Sequence, residues 1–260
     1  EANQLAENGA KEIILLGQNV NAYNYNNTKL SDLIYKISKI KNLKRIRYTT
    51  SHPKDFTQDL IEAHENCKKL MPLIHLPVQS GSNKILKSMN RKHSIEEYLI
   101  IIKKLITINS KIKFSSDFII GYPDETYEDF KETIKLMNKV KFVNSYSFIF
   151  SARPGTPAFK LKEINQLDAK NRLIEFQNIA EEIKLSYRKN LVNKIAKELF
   201  ENKVKDKTKY FGRDEYFNSV IVESDSDLIG KIENVKILRV NQGTLYGEIN
   251  TNTSQTDYAA

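Results

Sequence analysis

Four aliphatic residues run into Gly17 in the stretch EIILLGQNVNAY at positions 12–23, and the amides Gln18, Asn19 and Asn21 follow with no charge after Glu12. Apolar runs of strand length recur at 45–51, 73–79, 113–121 and 145–152. Between them the apolar positions take helical spacing near 30–40, 57–70, 95–108 and 126–139. This alternation predicts an α/β fold with a parallel sheet, its strands ending at Gly17, Ser51, Gln79, Gly121 and Ser151. Right-handed crossovers curl such a sheet toward a full or partial barrel.

Strands buried on both faces read as continuous aliphatics, and several of these do not. With a period of two, Arg45, Arg47, Thr49 and Ser51 share a face, as do His75 and Gln79, Ser115 and Asp117, and Ser147 and Ser151. The alternate residues, including Ile46, Tyr48, Phe118, Phe148 and Phe150, are assigned to the helix-packed face. A packed core cannot satisfy so many inward polar groups, so an open interior holding a polar ligand is expected, the alternative being a water-filled or mutually bonded interior. Ligands of parallel α/β sheets bind at the carboxyl ends of the strands. Each end here offers suitable groups: GQNVN, TSHP, VQSGSN, DFIIGYPDET and SARPGTPAF. Such a collar suits a zwitterion bearing a ribose, with amides and Asp117 for hydroxyls and amine and a guanidinium for carboxylate.

Beyond Asp168, read as an N-cap, apolar residues at 173, 176, 180, 183, 187 and 191 predict one long amphipathic helix. From about Lys194 short strands separated by Lys, Asp and Gly turns predict a small all-β barrel. The expected domains are therefore a β/α domain at 1–166, a linker helix at 167–193, a β domain at 194–252 and a disordered tail at 253–260.

Composition narrows the function. The 260 residues carry a net charge of +9, and 17 basic against 6 acidic residues fall between Lys36 and Lys113. That fits a polyanionic partner, although a Lys- and Asn-rich coding bias gives the same surplus. One cysteine, Cys67, excludes an internal disulfide and a self-contained multi-cysteine metal site, and the four histidines show no metal-ligand spacing. No apolar run reaches membrane-span length, so a chain without a membrane span is expected. Because it starts at Glu1 rather than Met, with residues that read as the tail of a helix, the natural N-terminus is expected to be missing.

The segments LLGQNVNAY, RIRYTTSHP, HLPVQSGSN, MNRKHS, DFIIGYPDET and SARPGTPAF, in this order, resemble the radical S-adenosylmethionine (SAM) methylthiotransferases, and within them the MiaB-type branch acting on a tRNA adenosine. The resemblance runs from Leu5 to about Ile249. It implies a partial parallel β/α barrel, here strands two to six, followed by an OB-like TRAM module that binds RNA. It also implies SAM and two [4Fe-4S] clusters as cofactors, a tRNA anticodon stem-loop and an electron donor protein as partners, and a cytoplasmic enzyme that methylthiolates carbon 2 of an isopentenylated adenine. By position, the resemblance assigns Gln18, Ser51, His52, Gln79, Ser80, Gly81, Arg91, Asp117, Ile119, Gly121 and Arg153 to the cofactor. It assigns Lys203, Lys205, Lys207, Lys209, Tyr210 and Arg213 to RNA. Both cysteine triplets of that family are absent from this sequence, so the chain alone is expected to be inert. A sister enzyme for another tRNA adenosine, a metal-free barrel enzyme using SGSN as a phosphate site, and a non-catalytic RNA-binding protein remain open.

Overall fold

A computed structural model describes residues 1–204, 208–241 and 243–251. The expectations for Lys205, Lys207 and the tail at 253–260 fall outside the described residues. In chain order the elements are α1 (Ala2–Glu7), β1 (Glu12–Leu15), β2 (Asn24–Tyr25), β3 (Thr28–Lys29), α2 (Leu30–Ser38), β4 (Arg45–Tyr48), α3 (Gln58–Asn66), β5 (Leu73–His75), α4 (Asn83–Ser88), α5 (Ile95–Ile108), β6 (Lys113–Ile120), α6 (Tyr127–Val140), β7 (Asn144–Ile149) and α7 (Gln166–Lys189). Five strands follow: β8 (Ile195–Lys203), β9 (Lys209–Arg213), β10 (Ser219–Glu223), β11 (Ile232–Asn241) and β12 (Thr244–Ile249). No helix among the described residues is long and apolar enough to cross a membrane.

The chain divides into two units, one comprising Ile14–Lys39 and Ile46–Lys184, the other Glu1–Ile13, Ile40–Arg45 and Leu185–Ala260. In the first, β5, β6 and β7 form a parallel sheet in that order. The pair β1–β4 forms a separate two-stranded sheet, and Ile46 meets Leu70 through a single parallel bridge. The single curled sheet expected from the sequence is thus broken between β4 and β5. Leu76 and Val78 run on beyond β5, and Ser116 Oγ ties this extension to β6 by donating to Leu76 O and accepting from Val78 N, each at 3.0 Å. The helix-facing side of β6 buries Phe118 completely, with its ring centroid 5.5 Å from Phe142 and 4.8 Å from Phe176 of α7. Burying each such ring stabilises the fold by about 1.5–3 kcal/mol.

The helices start where side chains can satisfy their first N–H groups. Ser94 with Glu97 and Thr126 with Asp129 form capping boxes on α5 and α6. For α7 the cap is Asn165, whose Oδ1 accepts from Leu167 N at 2.8 Å. Asp168 lies in the first turn, where a carboxylate favours the helix dipole, instead of at the cap position expected from the sequence.

Register overturns one further expectation. In the parallel pairing of β6 with β7, Asp117 stands beside Tyr146 and Ile119 beside Phe148, whereas Phe118 stands beside Ser147. Ser147 therefore shares the helix side, where Gln177 of α7 approaches its Oγ at 3.5 Å. Phe148, assigned to the packed face by its alternation with Ser147 and Ser151, is 60 % exposed on the open face.

In the second unit β10-β12-β11-β8-β9 close into a five-stranded barrel. Phe200, Tyr210, Val220, Val222, Leu228, Val235, Ile237 and Leu245 fill it. Gly212 lets β9 approach β8, since a Cβ there would lie 2.7 Å from Leu199 O. Arg45, expected to face a ligand cavity, donates instead to the barrel backbone, to Arg213 O at 2.9 Å and Lys197 O at 2.8 Å.

Gly81 lies so close to α6 that a Cβ would sit 2.4 Å from Thr133 Cα. Gly81→Ala should therefore cost about 1–3 kcal/mol and lower the unfolding midpoint by several degrees. An unchanged midpoint in calorimetry would contradict this packing.

Candidate functional site

In the β/α unit the groups at the strand ends first satisfy one another. Asn21 Nδ2 donates to His52 O at 2.8 Å while His52 N donates to Asn21 Oδ1 at 2.7 Å, an amide mimicking a backbone partner. Asn19 Nδ2 donates to Asp55 Oδ2 at 2.6 Å, and Thr50 Oγ1 donates to Gly17 O. The neutral amides after β1 thus lock its loop to the loop after β4, and only the exposed Gln18 points elsewhere. Thr50 (φ 62°) and Gln79 (φ 77°) both hold left-handed backbone conformations that non-glycine residues avoid. At Gln79 the sheet enforces this, because its N–H donates to Asp117 O at 3.0 Å and its carbonyl accepts from Ile119 N at 2.9 Å. Such strain collects at functional sites.

Some buried groups in this region remain without partners. Ser51 Oγ and both ring nitrogens of His93 are buried and make no hydrogen bond, and His93 is 7 % exposed. The Val78 backbone favours a protonated His93 without reaching hydrogen-bond geometry. The rings of His52 and His93 meet edge to face at 5.5 Å. Burial, then the charges of His52 and Arg91, push the His93 pKa down to about 4. His52 is lowered by burial and then by Arg91, and the guanidinium of Arg91 is itself lowered by burial against the opposing pull of Asp117. Two imidazoles thus stand beside one guanidinium, which is itself drawn toward the half-buried carboxylate of Asp117. His75 completes the row, with Nδ1 3.0 Å from Ser115 Oγ and Nε2 3.5 Å from Asp117 Oδ1.

The remaining assigned residues divide. Ser80 is buried and its Oγ accepts from Ser82 N at 3.2 Å, so it braces the turn into α4. The backbone approach allowed by Gly81 is to α6 and not to a ligand, and its N–H donates to Thr133 Oγ1 at 2.9 Å. Gly121 (φ +73°) closes β6, and its N–H donates to the buried Glu125, which pairs with Arg172 of α7 at 2.8 Å. Burial raises the Glu125 pKa despite this pair. Gly121 borders an open cavity of about 490 Å³ lined also by Ile149, Phe150, Ile164 and Leu167. Ile119 lies half-buried beside Asp117, and Arg153 is exposed in the loop after β7.

In the other unit Tyr210 is 2 % exposed inside the barrel, so its ring is not offered to a base as the resemblance implied. Lys203 Nζ lies 5.1 Å over that ring, and the Arg213 guanidinium lies 4.2 Å over Phe217 and 5.4 Å over Phe211.

The cofactors implied by the resemblance fit unequally. A SAM-sized zwitterion suits the chemistry of the collar, whose unpartnered Ser51 hydroxyl and His93 imidazole lie among groups, with the Arg91 guanidinium, that match an amine, a ribose and a carboxylate. An iron–sulfur cluster does not fit these residues: the sequence has one cysteine, buried at the end of α3, and no cluster of metal-binding side chains occurs among the described residues. His93 and the Glu125–Arg172 brace escaped the sequence reading. The signal for His93 was its place in the MNRKHS segment, two residues after Arg91.

Residues 1–137 match the profile of the Radical SAM superfamily. The chain is 56 % identical over 253 residues to the tRNA-2-methylthio-N(6)-dimethylallyladenosine synthase of Pelagibacter ubique, covering 96 % of this chain and 57 % of that protein. To the synthase of the same name from the Wolbachia of Culex pipiens it is 47 % identical, over 95 % of this chain and 58 % of that one. The chain thus spans less than three fifths of the length of these relatives. Among solved structures it is similar in fold to coproporphyrinogen III oxidase of Escherichia coli, a radical SAM enzyme (TM-score 0.53, 12 % identity, 90 % of this chain and 58 % of that one). Methylornithine synthase matches with a TM-score of 0.50 at 13 % identity, over 71 % of this chain and 52 % of that one.

With the His93 pKa held near 4, its imidazole should stay neutral as pH falls through the ordinary value of 6.5, and stability should decline from there toward pH 4 as the unfolded chain takes up the proton first. An NMR titration of the His93 ring should give a midpoint below 5. A midpoint at 6.5 would contradict the burial described.

Proposed function

The chain belongs to the radical SAM superfamily, and from that membership we propose that it forms the SAM- and tRNA-binding part of a tRNA-2-methylthio-N(6)-dimethylallyladenosine synthase. The observation that carries the cofactor reading is the pair of buried, unpartnered groups around the strand ends, Ser51 Oγ after β4 and the His93 imidazole beside Arg91 in the connection from α4 to α5. Leaving such groups unpaired is costly unless a ligand completes them. The substrate comes from the shared name of the relatives.

In this reading Ser51, Gln79 and Asp117 bind the ribose hydroxyls and the amine of SAM, and Arg91 flanked by His52 and His93 takes its carboxylate. Keeping both imidazoles neutral leaves Arg91 as the cation, so the niche holds one anionic group without an excess of charge. The Gly121 backbone and the adjoining cavity suit the adenine, with Glu125 and Arg172 fixing the turn. Ile119, Gln18 and Arg153 stand around this collar and its rim. When bound, SAM supplies the radical chemistry of the superfamily, and the residues here bind it, orient it and restrict water.

The five-stranded barrel is read as a TRAM-type, OB-like module, with Lys203, Lys209 and Arg213 contacting tRNA phosphates, and Lys205 and Lys207 are assigned to RNA from the sequence alone. Its nearly neutral composition makes patterning, not net charge, the source of affinity. The partners in this reading are the tRNA anticodon stem-loop and an electron donor protein, and the setting is the cytoplasm. The clusters require thiolates that these 260 residues do not contain, and the chain alone is expected to be inactive.

Deleting the gene should remove 2-methylthio-N(6)-dimethylallyladenosine from tRNA hydrolysates, with N(6)-dimethylallyladenosine accumulating in its place. Retention of the methylthio nucleoside would refute the assignment. Loss of a different methylthioadenosine would assign the chain to a sister enzyme.

A further inference from the structure

Tyr146 and Phe148 are 53 % and 60 % exposed, two large rings two residues apart on the open face of β7. Alternation puts both rings on one side of the strand, about 7 Å apart along it. Parallel register places Asp117 of β6 beside Tyr146 and Ile119 beside Phe148. The His75 ring stands edge-on to Tyr146 at 6.1 Å and 3.5 Å from the Asp117 carboxylate. The face therefore has a polar end, with an acceptor and an imidazole next to one ring, and an apolar end where a second ring adjoins an isoleucine. Adjacent exposed aromatics on a strand are the usual platform for unstacked bases.

We infer that Tyr146 and Phe148 form the platform for the target nucleotide of a single-stranded RNA loop, specific for a purine whose exocyclic nitrogen bears an apolar substituent. The base lies on Tyr146, with its exocyclic N–H toward the Asp117 Oδ1 that His75 flanks, the other carboxylate oxygen remaining for SAM, and the substituent lies on Phe148 against Ile119. The occupant follows from this polarity: an unsubstituted base leaves Phe148 exposed to water, and a plain hydrocarbon makes no use of the polar end at His75 beside Tyr146. The inference rests on the functional reading above and adds to it the residues that select the prenylated base.

The test measures binding of fluorescent anticodon stem-loop RNAs to the 260-residue chain, one loop with adenosine and one with N(6)-dimethylallyladenosine at the same position. The chain should prefer the prenylated loop by about tenfold, the scale of one well-placed stacking or apolar contact. Phe148→Ala should bring the prenylated loop down to the affinity of the plain one while leaving the plain loop within about twofold, and Phe148→Leu should recover part of the preference. Because Phe148 is exposed, neither variant should shift the unfolding midpoint. Equal affinity of the wild-type chain for the two loops, or no binding of either, overturns the platform. A preference that survives Phe148→Ala does the same. A Phe148→Ala variant that keeps the RNA preference but loses SAM affinity assigns the rings to the cofactor's adenine, which also overturns it. Failure of the functional reading itself is read separately, from the nucleosides in tRNA of the deletion strain.

Discussion

Backbone N–H and C=O groups at the carboxyl ends of parallel strands have no further strand to bond, and they must be satisfied before a ligand can use the space above them. In the β/α unit this constraint organises nearly everything near the site. Asn21 supplies both halves of a peptide bond to His52, Thr50 donates to Gly17 O, Gln79 bridges Asp117 and Ile119 in a left-handed conformation, and Glu125 accepts from Gly121 N. Once these groups are paired, what stays unpaired is informative: Ser51 Oγ, the His93 ring and Asn19 Oδ1 are buried and make no hydrogen bond. The functional reading grows from that remainder.

The same constraint explains which parts of the structure were legible in the sequence. The order of strands and helices followed from periodicity, because an aliphatic run between amphipathic helices has few other places to go. The end of each strand was visible as a change from aliphatic to polar residues. The destination of each polar group was not. Asn19 and Asn21 have the chemistry of ligand contacts and serve as ties between loops, while Gly81, which looks like a place for a ligand to approach, is a place for α6 to approach. Composition states what a side chain can bond, and only the fold states what is within reach.

The face of β7 failed for a different reason. The sequence reading places the polar residues of every strand on the inward face, and in YSF the serine sits between two rings, so taking Ser147 as inward reverses the strand. Open sheets that hold ligands break the rule on which that reading depends, and the place where it breaks is the open face itself. Tyr210 shows the opposite failure: an aromatic among lysines looked like a base-stacking surface, but a five-stranded barrel needs large side chains to fill its interior. Neither error touched the order of elements, because each concerns which way a correctly placed strand faces.

The account turns on the claim that the collar of strand ends in the β/α unit binds SAM through groups the protein leaves unpaired. The most direct measurement is an NMR titration of the isotope-labelled chain with SAM. The account predicts saturable shifts of the Ser51, His52, Gln79 and Asp117 amides and of the His93 ring, with the amides of the C-terminal barrel unmoved. A titration in which those collar signals stay fixed while shifts appear elsewhere, or in which SAM moves nothing, would contradict it.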